Sequence, residues 1–294
     1  MILRENIHMR DPFMHVEGGT LYLYGTTDDD CWRGEPQGFK VYIGNDLNTF
    51  QEEKLIFAPS EAFWGKANFW APELHVWQGS YYLFASFKAP GVCRGTSILK
   101  ADKPEGPFAP WGSRVVTPEV WECLDGTLYV DSQGKPWVVF CHEWVQIGDG
   151  AVCAQRLTED LSAPTGMIYT LFTASTAPWA KQVNHSSGIS GYVTDGPFLY
   201  RPQNGELWLL WSSLAESGYA IGLARSVTGH ITGPWVQSKA PLYSGDGGHG
   251  MVFTGLDGQL YLTIHTPNKT PDERPIFIPL QETKTGLVLA PGGC

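Results

Sequence analysis

No run of 18 apolar residues occurs in the chain, so nothing in the sequence reads as a helix crossing a bilayer. Basic residues are scarce: 20 Lys and Arg stand against 30 Asp and Glu, giving a net charge of −10. They form no stripe, and a nucleic-acid partner, which needs clustered cations for its phosphates, is not expected. The six cysteines, at 31, 93, 123, 141, 153 and 294, show no C-x-x-C spacing, and His8, His15, His75, His185 and His265 show no metal-ligand spacing. Reduced structural thiols are expected, with Cys141 and Cys153 acting as small buried hydrophobes. A nucleophile elbow, a phosphate-binding loop, a dinucleotide fingerprint and zinc spacing are all missing. Met1 to Arg10 lacks the apolar stretch of a signal peptide. The expectation is a cytoplasmic protein or, alternatively, a secreted or periplasmic one whose leader has been removed.

Helical periodicity is also missing, while Gly (34) and Pro (21) are plentiful. Short strands joined by turns follow from that mixture. Five apolar runs recur: Leu21-Tyr22-Leu23-Tyr24, Tyr81-Tyr82-Leu83-Phe84, Trp137-Val138-Val139-Phe140, Leu207-Trp208-Leu209-Leu210 and Leu260-Tyr261-Leu262-Thr263. Their markers are spaced by 60, 55, 71 and 53 residues, room for four strands and their turns. Each run is preceded by a Gly-containing hairpin turn and followed by a further strand. The pattern predicts an all-β fold, a five-bladed β-propeller over residues 1–294 as one domain. A two-sheet sandwich is the alternative, but it has no need of five equivalent units.

Aligning the strand before each run places Asp11, Glu73, Asp125, Asp195 and His249 at one equivalent position. Four carboxylates and a histidine therefore converge on the axis. Carboxylates beside apolar strands need partners. Either they perform chemistry, or they form a structural ring of hydrogen bonds around water or a cation. Chemistry of glycosidic bonds would use one protonated and one ionised carboxyl group, with a third carboxylate raising the pKa of the acid.

The segments Arg10-Asp11-Pro12-Phe13, Trp70-Ala71-Pro72-Glu73, Asp195-Gly196-Pro197 and Gly247-Gly248-His249-Gly250 resemble glycoside hydrolase family 43 along almost the whole chain. That resemblance implies an inverting glycosidase acting on α-L-arabinofuranosides or β-xylosides. Asp11 would then be the general base, Asp125 the auxiliary carboxylate and Asp195 the general acid. The family's usual Glu before Gly-Pro is Asp195 here, one methylene shorter, which sets back the carboxyl by about 1.5 Å. Glu143, at a strand end, is the substitute acid, with a solvated carboxylate as its plainer reading. His249 is implied to face a water or a hard cation. No cofactor is required, though a structural Ca2+ or Na+ on the axis is compatible with the resemblance.

Glu73 is implied to support or touch the ligand, and Phe69 and Trp70 to stack on sugar or to pack between blades. Trp32 and Trp144, in strand-end loops, are candidate sugar platforms. Arg225 ends a third strand, where it either pairs with a cleft carboxylate or lies on the surface. The expected function is chain-end release of arabinose or xylose from plant-derived oligosaccharides. The alternatives are a non-catalytic sugar-binding propeller and a related five-bladed enzyme acting on fructosides or mannosides.

Overall fold

A computed structural model of the chain describes residues 1–184, 188–284 and 286–290, so His185 and Cys294 lie outside the described residues. Five four-stranded antiparallel sheets follow one another along the sequence, each made of consecutive strands. Blade one comprises Arg10–Glu17, Thr20–Thr26, Phe39–Gly44 and Glu52–Phe57. Blade two comprises Ala67–Trp77, Ser80–Ala89, Val92–Ala101 and Ala109–Trp111, and blade three Cys123–Val130, Pro136–His142, Ala151–Leu157 and Pro164–Thr173. Blade four comprises Asp195–Tyr200, Trp208–Ala215, Gly218–Ser226 and Trp235–Gln237, and blade five Gly248–Thr254, Leu260–Thr266, Arg274–Thr283 and Gly286–Leu289. The chain is a five-bladed β-propeller, as the repeat predicts.

The apolar runs are the second strands. Sandwiched between neighbouring blades, they bury both faces, which is why they read as continuous hydrophobic stretches rather than alternations. Pro136–His142 is buried at every residue. Outer strands such as Pro164–Thr173 are more open to solvent, with Phe172 the one buried residue of that strand. Packing between the first two blades is dominated by rings. Phe87 lies 4.8 Å from Phe69, 4.9 Å from Phe63 and 5.7 Å from Phe39. Phe69, proposed above as a stacking surface for sugar, is 1% exposed and belongs to this core. The position after Asn68 points away from the cleft, so packing is its role. The five described cysteines are all free, with Cys141 and Cys153 buried.

Each inner strand carries a bulge near its start, where the pairing with the second strand skips two residues. One residue there takes a positive φ: Asp11 (54°), Ala71 (48°), Asp125 (55°), Gly196 (50°) and His249 (44°). A bulge re-aims its side chain and bends the strand. This register corrects the sequence alignment in two blades. Glu73 lies two residues beyond the bulge, because Ala71 is the equivalent of Asp11. Asp195 lies one residue before it, opposite Ser212, as Arg10 lies opposite Thr26.

The ring closes between blades five and one without any shared strand. The junction is held by Arg10 Nη1 donating to Glu273 Oε1, Arg10 Nη2 to Asn268 Oδ1 (2.8 Å), the Asp11 amide to His265 Nδ1 (3.1 Å) and Arg4 to the Pro275 carbonyl. Glu273 is fully buried, and a buried ion pair that loses one partner costs several kcal/mol.

Phe87→Ala removes the ring on which three others converge and is expected to cost about 3–5 kcal/mol of stability. Chemical denaturation followed by circular dichroism measures it; a loss under 1 kcal/mol would show that the cluster is loosely packed.

Candidate active site

The bulges at Asp11, Asp125 and His249 turn their side chains into a cleft of about 600 Å³ at one end of the propeller axis. Arg10, Asp11, Trp32, Trp70, Arg94, Asp125, Glu143, Trp144, Asp195, Tyr219 and His249 are all on its wall. Asp11 and Asp125 are buried at 8% and 5% exposure, whereas Asp195 opens further to the cleft.

His249 stands between the carboxylates, its Nδ1 3.2 Å from Asp11 Oδ1 and 3.5 Å from Asp125 Oδ2. Burial alone would favour the neutral ring, but Asp11, Asp125 and Asp195 together raise its pKa and favour imidazolium. The ring rests on the Gly196 backbone: a Cβ there would fall 2.5 Å from His249 Cδ2, and φ is +50°. Glycine in Asp195-Gly196-Pro197 is thus required twice over. His265 is different. Its Nδ1 accepts the Asp11 amide, so the proton sits on Nε2, which faces Asn268. Burial, followed by the Arg10 charge, pushes its pKa down to about 3 and keeps it neutral.

The carboxylates separate electrostatically. Burial pushes Asp11 up, but His249, Arg10, His265 and the Thr26 hydroxyl outweigh it and hold Asp11 below the usual range. Asp125 is raised, first by burial and then by Asp195 and Asp11, with His249 and the Gly196 amide opposing. Asp195 is raised by burial and by Asp11, against His249 and the Tyr219 hydroxyl, which donates to Oδ2 at 3.0 Å. Asp11 is thus favoured as the anion, while Asp125 and Asp195 are both pushed toward their protonated forms, Asp125 the further.

Among the described residues no group of three or more His, Cys, Asp or Glu is arranged to hold a metal ion. His249 Nδ1 is already engaged by two carboxylates, and an imidazolium supplies the positive charge that a cation would bring.

Around this centre lies an aromatic and cationic wall. Asp30 caps the turn carrying Trp32 by accepting the Trp32 and Arg33 amides. Trp32 is half exposed, donates to Thr270 Oγ1 and meets Trp70 edge-on at 5.1 Å. Arg10 lies 5.0 Å from the Trp32 ring and Arg94 3.8 Å from the Trp70 ring. Trp144 begins a one-turn helix (Trp144–Ile147) on the wall.

Glu143 is not a solvated strand-end carboxylate: it is 8% exposed and takes Arg94 Nε at 2.6 Å. That ion pair commits it to holding Arg94, whose Nη1 is buried with no hydrogen-bond partner. Glu73 is buried, lies off the cleft wall and faces His75 at 3.3 Å. Arg225 is far from the cleft, opposite Trp208 at the other end of its blade, half exposed and paired with Glu206; the surface reading holds because its strand runs away from the cleft. Arg94, Tyr219, Asn68, Asn268 and Thr270 line the cleft without having been singled out in the sequence. Arg10, adjacent to Asp11, and Asn268, in the segment His265-Thr266-Pro267-Asn268 that shares the family resemblance, lay inside motifs without a role assigned to them.

Buried carboxylates with opposed pKa shifts, facing a cleft walled by indoles and guanidinium groups on a five-bladed propeller, define a glycoside hydrolase. Residues 6–282 match the family model for glycosyl hydrolases family 43, and the chain belongs to that family. It is 42% identical to a solved endo-arabinase from Bacteroides thetaiotaomicron, over 97% of this chain and 98% of that one, with a TM-score of 0.90. Curated relatives include an extracellular exo-α-(1→5)-L-arabinofuranosidase of Cellvibrio japonicus (24% identity, 89% of this chain, 79% of the relative). Another is an extracellular endo-α-(1→5)-L-arabinanase of Bacillus subtilis (26% identity, 79% of this chain, 68% of the relative). The chain is a glycosidase hydrolysing O-glycosyl bonds.

Glu143→Gln is expected to keep the alkaline limb of the pH–rate profile in place and to raise KM, because it loosens Arg94 without removing a proton donor. Loss of the alkaline limb in this variant would make Glu143 the acid.

Proposed function

We propose that the enzyme hydrolyses α-L-arabinofuranosidic bonds in arabinan-derived chains with inversion, using Asp11 as general base and Asp195 as general acid. The reading is carried by one cleft in which His249 stands 3.2 Å from Asp11 while Tyr219 donates to Asp195, with Asp11 held down by His249 and Arg10 and Asp195 pushed up by burial and Asp11. Arabinofuranosides are preferred over β-xylosides because the relatives with the broadest coverage are named as arabinanases and arabinofuranosidases. Those named xylosidases or xylosidase/arabinosidases align over about half of the chain or less.

In this mechanism the Asp11 carboxylate takes a proton from water as that water attacks the anomeric carbon. Asp195 gives its proton to the departing glycosidic oxygen. Asp125 is the auxiliary carboxylate in this reading, feeling the like charge of Asp195, and the Tyr219 hydroxyl donates to Asp195 and orients it. The shorter Asp195 is served by its place before the bulge rather than on it, which carries its carboxyl on a paired stretch of strand. Trp32, Trp70 and Trp144 offer faces to the sugar C–H groups, and a sugar hydroxyl would satisfy Arg94 Nη1.

The test combines substrates and variants. Debranched arabinan, α-1,5-arabino-oligosaccharides and nitrophenyl α-L-arabinofuranoside should be turned over faster than nitrophenyl β-xyloside, and turnover confined to xylosides overturns the assignment. Asp11→Ala should lower kcat/KM by about 10²–10⁴-fold.

The wild-type profile should be bell-shaped. Its acid limb lies low because Asp11 is held below its ordinary pKa. Its alkaline limb lies high because Asp125 and Asp195 are held above theirs. Asp195→Asn should remove the alkaline limb and slow poor leaving groups most; an unchanged response to leaving-group pKa in that variant would exclude Asp195 as the acid.

A further inference from the structure

The bulges are tied to one another around the ring. In four of the five junctions, the amide at the bulge of one blade donates to a side chain on the second strand of the blade before it. Ala71 N donates to Thr26 Oγ1, Asp125 N to Ser86 Oγ and His249 N to Ser212 Oγ, each at 2.8 Å, and Asp11 N to His265 Nδ1 at 3.1 Å. Every acceptor holds the same register, opposite the residue that precedes its own blade's bulge.

Between blades three and four that register position is Cys141, opposite Leu124. Cys141 is fully buried, and a thiol is a weak acceptor. The corresponding amide, Gly196 N, goes instead to Asp125 Oδ2 at 2.9 Å. Blade one shows the alternative within the same molecule. There Thr26 accepts the Ala71 amide and gives its own hydroxyl proton to Asp11 Oδ2 at 2.7 Å, so that Asp11 is bound within its own blade. Asp125, with no hydroxyl at position 141, reaches across the junction to the backbone beside Asp195.

We propose that Cys141 is a positioning residue: by offering no oxygen, it leaves the Gly196 amide to draw the Asp125 carboxylate across the blade junction and hold it against Asp195. A sulfur at 141 and an oxygen at 26 thereby give two carboxylates on equivalent bulges different partners, one facing the acid and one facing water. This deepens, and rests on, the assignment of Asp195 as acid. The groups that act on Asp125 come from every neighbouring strand: His249 and Asp195 foremost, then Asp11, with Arg10 and Tyr219 beyond them acting on Asp195. The Cys141 thiol is hydrogen-bonded to the Thr194 side chain, and Asp125, Asp195 and Cys153 act on it electrostatically. None of the charged groups changes when residue 141 is replaced.

The pH dependence of kcat/KM is measured for wild type, Cys141→Ser and Cys141→Ala. A serine hydroxyl accepts the Gly196 amide and donates to Asp125, as Thr26 does for Asp11. Asp125 withdraws from Asp195, the repulsion between them relaxes, and the alkaline limb moves down by about one pH unit. Alanine offers no acceptor, so the amide stays with Asp125 and the limb stays at its wild-type position. Superimposable wild-type and Ser profiles, or equal shifts in Ser and Ala, overturn the proposal.

Titration of the Asp125 carboxyl by carbon NMR of aspartate-labelled protein reads the same displacement without turnover. A lower Asp125 pKa in Ser alone supports the positioning role even where no arabinofuranoside is cleaved, an outcome that sinks the substrate assignment separately. Melting curves confirm that each variant is folded.

Discussion

Three buried carboxylates around one axis repel each other, and His249 is what lets them share a cleft. A lone buried carboxylate tends to neutralise itself by taking a proton, and like charges around one cleft add to that tendency, as they do for Asp125. One imidazole nitrogen between Asp11 and Asp125 stabilises the first as an anion and only partly offsets the burial of the second. The asymmetry is completed by Arg10 and Thr26 on the side of Asp11. Everything else at the cleft, from the glycine under the imidazole to the seam that orients Arg10, serves that one charge arrangement.

Much of this architecture was legible in the sequence because its cause is repetitive. Second strands are buried on both faces, so five continuous apolar runs at blade spacing betray five blades. Asp11 and Asp125 were visible as polar residues heading apolar strands. The register was not. Sequence alignment treats Glu73 and Asp195 as equivalents of Asp11, but the bulges shift one by two residues and the other by one. A positive φ at Ala71 leaves no trace in the side-chain pattern. Glu143 read as solvated because its partner, Arg94, is 49 residues away in a different blade. Tyr219 carried no signal in the sequence, since its hydroxyl finds Asp195 through tertiary geometry. Phe69 and Trp70 are adjacent, and strand alternation sends one into the core and the other into the cleft.

Two indoles of the cleft wall are each paired with a guanidinium: Trp32 with Arg10 and Trp70 with Arg94. Such pairs keep the rings rigid while leaving one edge or face toward solvent, which suits a ligand that offers C–H faces and hydroxyls in alternation. The salt bridges to Glu273 and Glu143 fix the guanidinium groups from behind. Recognition of this kind costs little conformational entropy on binding, since its side chains are already held.

The ring is covalently continuous through four junctions and non-covalent at the fifth, and Asp11 stands at that fifth junction with its amide on His265 and its charge beside Arg10. The proposed base is thus stationed at the clasp of the molecule. Any opening of the clasp, even with all five sheets intact, parts Asp11 from His265 and His249 while Thr26, in its own blade, stays with it. The station of the proposed base rests on these polar contacts together with the apolar packing of Met251 and Phe253 that joins the two blades.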